Sequence, residues 1–401
     1  TMLPQCSSRD DAQQCWSAPP YRPVKILIDD KIPFLKGVLE SFAEVLYLPG
    51  VEMTPELVRH ADALIIRTRT TCGERLLKES AVKYIASATI GADHIDAEYC
   101  RKRGIAWSNA PGCNAGAVCQ YVAAALFACA QKKFLQLRGL TIGIVGVGHV
   151  GERVASLCQA LGMQVLLNDP PRERTEGAGA FTTLERLQQD ADIISFHVPL
   201  NSAGEFATRH LVDDGFLKRL RKTPLLINTC RGEVFDTAAV RTALAFGRLS
   251  GAVIDCWEDE PKIDLELLEK TDIGTPHIAG YSRDGKANGT MMSVRAVSRF
   301  FQLGIDDWKP TGQGWQDPTS IQIDGQNKDQ ERVLADAVLA TYDILAGDRN
   351  LRTAPGSFEQ LRNQYPLRRE FHNYRIEARN IDKTALSALA KIGFRMSGGH
   401  L

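Results

Sequence analysis

The 401-residue sequence has no uninterrupted apolar run of the roughly 18 residues that a membrane-spanning helix needs. Its most apolar helical segment, residues 118–130, is shorter than that and contains Gln120 and Tyr121. Lys and Arg together number 48, as do Asp and Glu, so the formal net charge is zero. Without an excess of positive charge the chain has no general attraction for a phosphate backbone. We therefore expect neither a membrane nor a nucleic acid as its partner.

Metal-binding patterns are also missing. The ten cysteines include no C-x-x-C pair and no Cys/His cluster at zinc spacing, so we expect no metal site. In a chain of this length, scattered cysteines indicate small buried residues of a reducing compartment, which predicts a cytoplasmic protein. Residues 1–23 are polar and Pro-rich and lack the apolar core of a secretory signal. We interpret them as a disordered extension.

From residue 24 onward, short apolar runs alternate with amphipathic stretches, which predicts α/β architecture with parallel sheets covered on both faces. We predict two doubly wound domains. A flavodoxin-like substrate domain comprises residues 24–112 and 282–304, with a helix at 34–42, and a Rossmann domain comprises residues 113–281. Residues 311–318, rich in Gly, Gln and Pro, predict a linker. Residues 305–401 then form a small α+β domain, with helices near 331–345, 358–369 and 384–392 and a strand near 374–377.

A glycine-rich motif, G-x-G-x-x-G at residues 146–151, follows the predicted strand at 141–145 and opens a helix. In this context it indicates a dinucleotide site, with the pyrophosphate at the helix N-terminus. The motif residues predicted to contact the cofactor are Gly146, Gly148, His149, Val150 and Gly151. Asp169, after the next strand, would accept hydrogen bonds from the adenosine ribose and repel a 2′-phosphate, which favours NAD. Arg172 and Arg174 weaken this preference, and the alternative is a glycine-rich turn beside a surface Asp.

Three ionisable residues follow three predicted strands of the second sheet. Arg231 follows residues 225–228, Glu260 follows 251–255, and His277 follows 272–274. Because ligands bind beyond the carboxyl ends of parallel strands, we expect these side chains to converge there. A 2-hydroxy acid needs a planar cation for its carboxylate and a base for its hydroxyl proton. Arg231 and His277 fit these roles, and Glu260 would orient the imidazole.

Each residue also has a simpler interpretation. Arg231 could be a surface charge, and Glu260 one of several solvated carboxylates in the run 258–260. A lone His is more often a packing or surface residue than a catalyst, and His94 and His197 are rival histidines. We interpret His197, which also ends a strand, as lining the cofactor crevice.

Three segments, 228–233 (NTCRGE), 255–261 (DCWEDEP) and 275–280 (TPHIAG), resemble the Arg, Glu and His motifs of the D-isomer-specific 2-hydroxyacid dehydrogenases. This resemblance covers residues 24 to about 303. Segments 110–115, 168–171 and 277–281, with 285–287, resemble more narrowly the erythronate-4-phosphate dehydrogenase family. So does the tail, at 355–358 and 367–370.

The resemblance implies NAD-dependent oxidation of 4-phospho-D-erythronate to 2-oxo-3-hydroxy-4-phosphobutanoate in pyridoxal phosphate synthesis. It implies catalytic roles for Arg231, Glu260 and His277, and a tail that forms a homodimer. Its further cofactor residues are Asp255 and Gly280. We also expect Cys230 and Val198 at the cofactor, and since the family often has Thr at the position of Val198, a side-chain hydrogen bond to the cofactor is lost there. Its substrate residues are Thr68, Thr89 and Tyr281.

The substrate phosphate needs donors as well. Arg67 and Thr68 follow the predicted strand 63–66 and are candidates, although Arg67 and Arg69 could belong to a solvated loop. Arg368 or Arg369, reaching from a partner subunit, would supply a third contact.

Two rival functions stay open. One is a dehydrogenase for another D-2-hydroxy acid, such as glycerate or 3-phosphoglycerate. The other is a non-catalytic NAD-sensing scaffold that resembles the transcriptional corepressors of this fold. The tail favours the erythronate-phosphate enzyme over both.

The tail also carries an apolar stripe at helical spacing, which we expect a partner subunit to cover, the alternative being the chain's own Rossmann domain. The stripe comprises Val333, Leu334, Val338, Leu339, Tyr342 and Leu345.

Overall fold

The computed structural model describes residues 22–311 and 318–397. Nearly all of the predicted extension and most of the predicted linker lie outside these residues. The chain divides into two compact units, one formed by residues up to 110 with 290–309, the other by residues 111–289 and those from 310 onward. Among the described helices, none is both long and apolar enough to cross a membrane.

The first unit is a doubly wound α/β unit. Its elements are β1 (Lys25–Asp29), β2 (Glu44–Leu48), α1 (Pro55–Val58), β3 (Ala63–Ile66), α2 (Glu74–Leu77), β4 (Tyr84–Ser87), α3 (Ala97–Arg103) and β5 (Ala106–Ser108). The strands are all parallel and lie in the flavodoxin-like order β2-β1-β3-β4-β5. Successive residues serve opposite faces, since Ile26 and Ile28 join one buried cluster and Leu27 joins another.

The helix predicted over residues 34–42 is wrong, because this segment forms successive turns. Phe34 has a φ of +65° and Gly37 a φ of +82°, both outside the right-handed helical region. Leu35 and Leu39 are nevertheless fully buried. The four-residue spacing of these leucines therefore reflected burial beneath turns rather than a helix.

The second unit contains the larger sheet. Its elements before the tail are α4 (Ala115–Lys133), β6 (Thr141–Val145), α5 (His149–Ala160), β7 (Gln164–Asn168), α6 (Pro170–Glu176), α7 (Leu184–Asp190), β8 (Ile193–Phe196), α8 (Asp214–Lys218), β9 (Leu225–Asn228), α9 (Thr237–Ala245), β10 (Gly251–Ile254), α10 (Leu265–Lys270) and β11 (Ile273–Gly274). The six strands are parallel, in the order β11-β10-β9-β8-β6-β7. The order reverses at β6, and the crevice beyond this switch point is where such sheets bind ligands.

The tail follows α11 (Arg283–Phe301), a helix that continues from the second unit into the first. Its elements are β12 (Thr319–Asp324), α12 (Gln330–Thr341), α13 (Ile344–Thr353), α14 (Phe358–Asn363), β13 (Tyr374–Arg379), α15 (Lys383–Ile392) and β14 (Arg395–Met396). The strands form a parallel sheet in the order β12-β13-β14. The single helix predicted near 331–345 is two helices, because Tyr342 is extended and the Asp343 side chain caps α13 by accepting from Ala346 N.

The apolar stripe of the tail is buried within the chain. Val333, Leu334, Val338 and Tyr342 are at most 5% exposed and share one cluster with residues of α4, α5 and α15. The expectation that a partner subunit covers this stripe is therefore wrong, and the alternative of an internal contact holds. Only Leu345 of the stripe is exposed. The contact also explains α4, which is apolar on every side because it is enclosed by the sheet and the tail.

Candidate active site

The glycine-rich loop between β6 and α5 has the geometry of a phosphate-binding turn. Gly146 has a φ of +87°, and a Cβ there would lie 2.7 Å from the carbonyl oxygen of His197. A Cβ at Gly151 would lie 2.0 Å from the carbonyl oxygen of Gly146, so helix and strand pack too closely for a side chain. At Gly148 a Cβ would meet no atom within 4 Å. The residue expected to face the pyrophosphate thus borders open space, at the start of α5.

Asp169 is fixed beside this loop. Its Oδ2 accepts from Val147 N at 2.8 Å, and its Oδ1 accepts from Arg172 N at 3.1 Å. The two arginines that could have paired with a 2′-phosphate are bound to carboxylates instead, Arg172 to glutamates of α5 and α6 and Arg174 to Glu205. The residues present therefore fit the ribose hydroxyls of NAD better than the 2′-phosphate of NADP.

His197 and Val198 follow β8, and Cys230 follows β9. The ring nitrogens of His197 lie 2.9 Å from Ser195 Oγ and 3.3 Å from Thr229 Oγ1. Burial lowers the pKa of His197 to about 3, so this ring is neutral near pH 7. Val198 lies against Gly146. The buried Cys230 thiol donates to Asn228 Oδ1, and burial raises its pKa to about 11.

Glu260 and His277 form a hydrogen-bonded pair. His277 Nδ1 lies 2.8 Å from Glu260 Oε2 and 3.1 Å from Oε1. The Trp257 amide also donates to Glu260 Oε1, at 2.8 Å. Burial alone would raise the pKa of Glu260, but the bond and charge of His277 outweigh it, and the pKa of this carboxyl lies below its usual range. Because Nδ1 is occupied by an ionised carboxylate, Nε2 is the nitrogen left to exchange a proton with substrate.

The other carboxylates of the acidic run have different surroundings. Glu258 Oε1 lies 2.6 Å from His210 Nε2, and its Oε2 accepts from Thr237 N at 3.3 Å. Asp259 occupies a turn with a φ of +61°. The interpretation of Glu260 as one of several equivalent solvated carboxylates is therefore wrong.

Arg231 lies next to the loop that carries Glu260. Its carbonyl oxygen accepts from Asn228 Nδ2 at 2.9 Å, which shapes the turn after β9. A Cβ at Gly232 would lie 1.9 Å from the carbonyl carbon of Trp257, so the two loops are in backbone contact. The Arg231 guanidinium donates from Nη1 to the carbonyl oxygen of Cys230 at 2.8 Å. The structure therefore packs the turn of Arg231 against the loop of Glu260, whose side chain binds His277.

Cys256 raises the question of a metal site. Its Sγ and ligand atoms of Glu260 and His277 all lie within 4.8 Å of one another. Burial, followed by the charges of Asp255 and Glu260, raises the pKa of the Cys256 thiol well above its usual range. Because a thiol binds metal as thiolate, and because Glu260 and His277 already bind each other, we interpret the group as a proton-transfer pair beside a neutral thiol.

Asp255 holds the backbone of the His277 loop. Its buried carboxylate accepts from Thr275 Oγ1 at 2.6 Å, Ile278 N at 2.7 Å and Ala279 N at 2.8 Å. His277 itself has a φ of +55°, a conformation that non-glycine residues rarely adopt, and its amide donates to the Asp255 carbonyl oxygen. Both carboxylate oxygens of Asp255, which was predicted to contact the cofactor, therefore hold the backbone of the His277 loop. Gly280 packs on Asn114 at the start of α4, where a Cβ would lie 2.1 Å from Nδ2.

The tail supplies a residue whose role the sequence did not reveal. Arg368, only 9% exposed, donates to the carbonyl oxygens of Ile278, Ala279 and Tyr281, directly after His277. It is therefore not a phosphate ligand reaching from a partner subunit, and that expectation is wrong. Arg369 contacts Asp284 of its own chain at 3.3 Å. The only sequence signal was the motif at 367–370, which gave no indication of this contact.

Three residues predicted to contact the substrate, Arg67, Thr68 and Thr89, lie in the first unit. Arg67 binds the buried Asp29 through Nε and Nη2, both at 3.1 Å. Thr68 is exposed. Thr89 Oγ1 lies 2.8 Å from Ser87 Oγ. The rival His94 is buried and bonded to the same Ser87 oxygen, so we interpret it as a packed residue.

Known proteins resemble the chain along most of its length. An erythronate-4-phosphate dehydrogenase of Bacteroides fragilis is 51% identical over 354 residues, which are 88% of this chain and 99% of that protein. The chain belongs to the erythronate-4-phosphate dehydrogenase family. A member from Porphyromonas gingivalis is 44% identical, over 88% of this chain and 95% of its own.

Matches to domain families and solved structures extend this assignment. The family described as D-isomer specific 2-hydroxyacid dehydrogenase, NAD binding domain, matches residues 120–279. A domain of unknown function, DUF3410, matches residues 316–393 of the tail. The Aquifex aeolicus D-lactate dehydrogenase, solved with NAD and lactic acid, is 28% identical with a TM-score of 0.59 and covers 69% of this chain and 95% of its own. The predicted fold class, the dehydrogenase assignment and NAD as cofactor are confirmed.

Proposed function

We propose that this family member oxidises the 2-hydroxyl of 4-phospho-D-erythronate with NAD, giving 2-oxo-3-hydroxy-4-phosphobutanoate and NADH. The reaction would serve pyridoxal phosphate synthesis. The observation that carries the reaction class is the His277–Glu260 hydrogen bond of 2.8 Å, in the same unit as the glycine-rich loop. The substrate comes from the relatives, which are named for it.

Each catalytic side chain has a separate role in this oxidation. Bound NAD supplies the acceptor for the hydride that leaves C2. His277 Nε2 takes the proton of the C2 hydroxyl, so that the C–H and O–H bonds break as C2=O forms. Glu260 stabilises the imidazolium that results. Arg231 binds the substrate carboxylate and the emerging carbonyl oxygen as a planar, permanently charged donor.

Tyr281, four residues after His277 and in the same unit, is the proposed substrate contact that lies nearest to His277 in the sequence. Thr68 and Thr89 of the first unit are proposed as substrate contacts on the family resemblance alone. Arg67 is a weaker candidate than the sequence suggested, because two of its donors already bind Asp29.

Turnover of a small substrate panel tests the proposal. Initial rates of NADH formation would be measured with 4-phospho-D-erythronate, D-glycerate and 3-phospho-D-glycerate. We expect kcat/KM for 4-phospho-D-erythronate to exceed kcat/KM for each of the other two acids by at least about 10²-fold. A site that hydrogen-bonds a polar group of its substrate discriminates strongly against substrates that lack that group. A preference for another acid would establish the rival dehydrogenase. Tight NADH binding without turnover of any acid would support the scaffold.

We also propose, as the resemblance implies, that the tail forms a homodimer. With the apolar stripe buried internally, the interface must use another surface. Leu345 and Leu367 are large apolar residues of the tail that are 41% and 39% exposed. Light scattering coupled to size exclusion should give a dimer for the full chain and a folded monomer for Leu345→Glu with Leu367→Glu. A wild-type monomer at micromolar concentration would contradict the proposal.

A further inference from the structure

We propose that Arg362, on helix α14 of the tail, binds the phosphate of the substrate together with Lys286. The catalytic motifs do not explain how a phosphorylated 2-hydroxy acid is distinguished from an unphosphorylated one. These two cations would provide that distinction. The inference rests on the proposed function only in assuming a phosphorylated substrate.

Arg362 is located at the catalytic pair. Its Nη1 lies 3.9 Å from Glu260 Oε2, the oxygen that bonds His277. It also interacts electrostatically with Cys256, as do Arg231 and Glu260. The tail thus places a permanent positive charge beside the Glu260–His277 pair.

The hydrogen-bonding capacity of Arg362 is not fully used by the described residues. Its Nε is buried without a hydrogen-bond partner among the described residues, although 26% of the side-chain surface is accessible. Its closest carboxylate is that of Glu260, which already accepts two bonds from His277 and one from Trp257. A buried guanidinium without matching acceptors is costly unless a ligand supplies them.

Two other arginines of the tail show the contrast. Arg368 donates to carbonyl oxygens at 2.9 Å and 3.0 Å and lies over the Tyr342 ring. Arg352 binds both oxygens of Asp348 at 3.0 Å and the carbonyl oxygen of Thr271 at 2.9 Å. Both are structural residues whose donors are matched by protein oxygens. Within residues 22–311 and 318–397, Arg362 has no such set of acceptors, which is the arrangement expected of a ligand-binding arginine.

Lys286 and Tyr281 complete the subsite. The Lys286 ammonium lies 4.6 Å from the centroid of the Tyr281 ring, and Arg362 interacts electrostatically with the same tyrosine. Tyr281 therefore holds two cations near each other. Its own ring is steadied by an edge-on contact with Tyr365, with centroids 6.5 Å apart. Two cations and a phenol suit a phosphate, whose oxygens accept bidentate bonds from Arg and a charge contact from Lys. Arg231 then remains for the carboxylate at the other end of the substrate.

The test compares substrates with and without the phosphate. Wild type, Arg362→Gln and Arg362→Lys would be assayed with 4-phospho-D-erythronate and with D-erythronate. Arg349→Gln, an exposed tail arginine paired with Asp343, is the matched control. We expect Arg362→Gln to lower kcat/KM for the phosphorylated substrate about 10- to 100-fold more than kcat/KM for D-erythronate, with the difference mainly in KM. Arg362→Lys should recover part of the loss, and inorganic phosphate should inhibit Arg362→Gln more weakly than wild type.

Other outcomes would overturn the assignment. Equal losses for both substrates, with a shifted pH profile, would make Arg362 a positioning residue for Glu260. An unchanged kcat/KM for both substrates would remove it from the site. Failure of the proposed function is separable, because wild type would then not turn over 4-phospho-D-erythronate. If wild type prefers 3-phospho-D-glycerate instead, the same comparison with D-glycerate still tests Arg362. Circular dichroism and NADH titration of each variant establish that it is folded.

Discussion

Replacing Arg368 by Met should destabilise the second unit and slow catalysis together. The guanidinium serves five buried acceptors: the carbonyl oxygens of Ala117, Ile278, Ala279 and Tyr281 and the amide oxygen of Gln120. Met keeps most of the aliphatic contact with Tyr342 but donates to none of them. A hydrogen bond to a charged group contributes about 1.5–3 kcal/mol, and a buried neutral acceptor left without its donor costs about 1–3 kcal/mol. We expect a loss in that range.

The effect on catalysis follows from where the acceptors lie. Three of them are carbonyl groups of residues 278–281, which begin one residue after His277. In the variant, Asp255 would still accept hydrogen bonds from the backbone amides of this loop. The backbone carbonyl groups of the loop would lose their hydrogen bonds to Arg368. Because a displacement of about 1 Å can cost about 10²-fold in rate, we expect kcat to fall about 10- to 100-fold at temperatures where the variant stays folded.

Arg352→Met is the matched control, since Arg352 also joins the tail to the NAD-binding domain, through part-buried bonds to the carbonyl oxygens of Leu268 and Thr271. It should lower the urea midpoint similarly but leave kcat within about twofold, because its acceptors precede the catalytic loop. Urea unfolding followed by fluorescence and initial rates in the folded baseline provide both readouts. An Arg368→Met protein with a wild-type midpoint, or with a lowered midpoint and unchanged kcat, would refute the reasoning.

Three further outcomes are expected. His277→Ala should lower kcat about 10²- to 10⁴-fold while NADH binding, followed by fluorescence titration, survives; near-normal turnover would exclude His277 as the base. Asp169→Ala should weaken NAD binding and narrow the preference over NADP, measured as the ratio of kcat/KM values; a wild type that uses both cofactors equally would contradict this role. The folded-state pKa of Glu260 is depressed, so its contribution to stability should be present near neutral pH and be lost as the pH falls below about 4. The urea midpoints of wild type and Glu260→Gln should therefore converge in acid, and a constant difference between pH 3 and 7 would argue against the ionised pair.

The sheets and the catalytic loops could be predicted because each depends on local sequence. Buried parallel strands such as Ile193–Phe196 and Leu225–Asn228 are mostly apolar, and their bounds agree with the prediction. The glycine-rich loop restricts residue type by steric contact at Gly146 and Gly151, which leaves a pattern in the sequence. The residues at strand ends converge because the strands are parallel.

The tail could not be predicted in the same way, because its contacts join residues far apart in the chain. The spacing of Val333, Leu334 and Val338 specifies an apolar stripe, but an apolar stripe is the same whether a partner or the chain itself covers it. Nor does any local pattern distinguish Arg368, which is saturated by carbonyl oxygens, from Arg362, which is not. The helix prediction at residues 34–42 failed for a related reason, since burial of Leu35 and Leu39 does not require a helix.

These contacts change how the tail should be studied. Deleting it would remove Arg368 from the carbonyl oxygens behind His277, remove Arg362 from Glu260, and expose the apolar surface of α4. An inactive, aggregating truncation would therefore follow even if the tail had no part in dimerisation. Point substitutions at the exposed Leu345 and Leu367 separate the two roles, because neither residue contributes to those contacts. A monomeric double variant with full turnover would show that the tail supports the active site within one chain, whereas a monomer without turnover would show that the assembly itself is required.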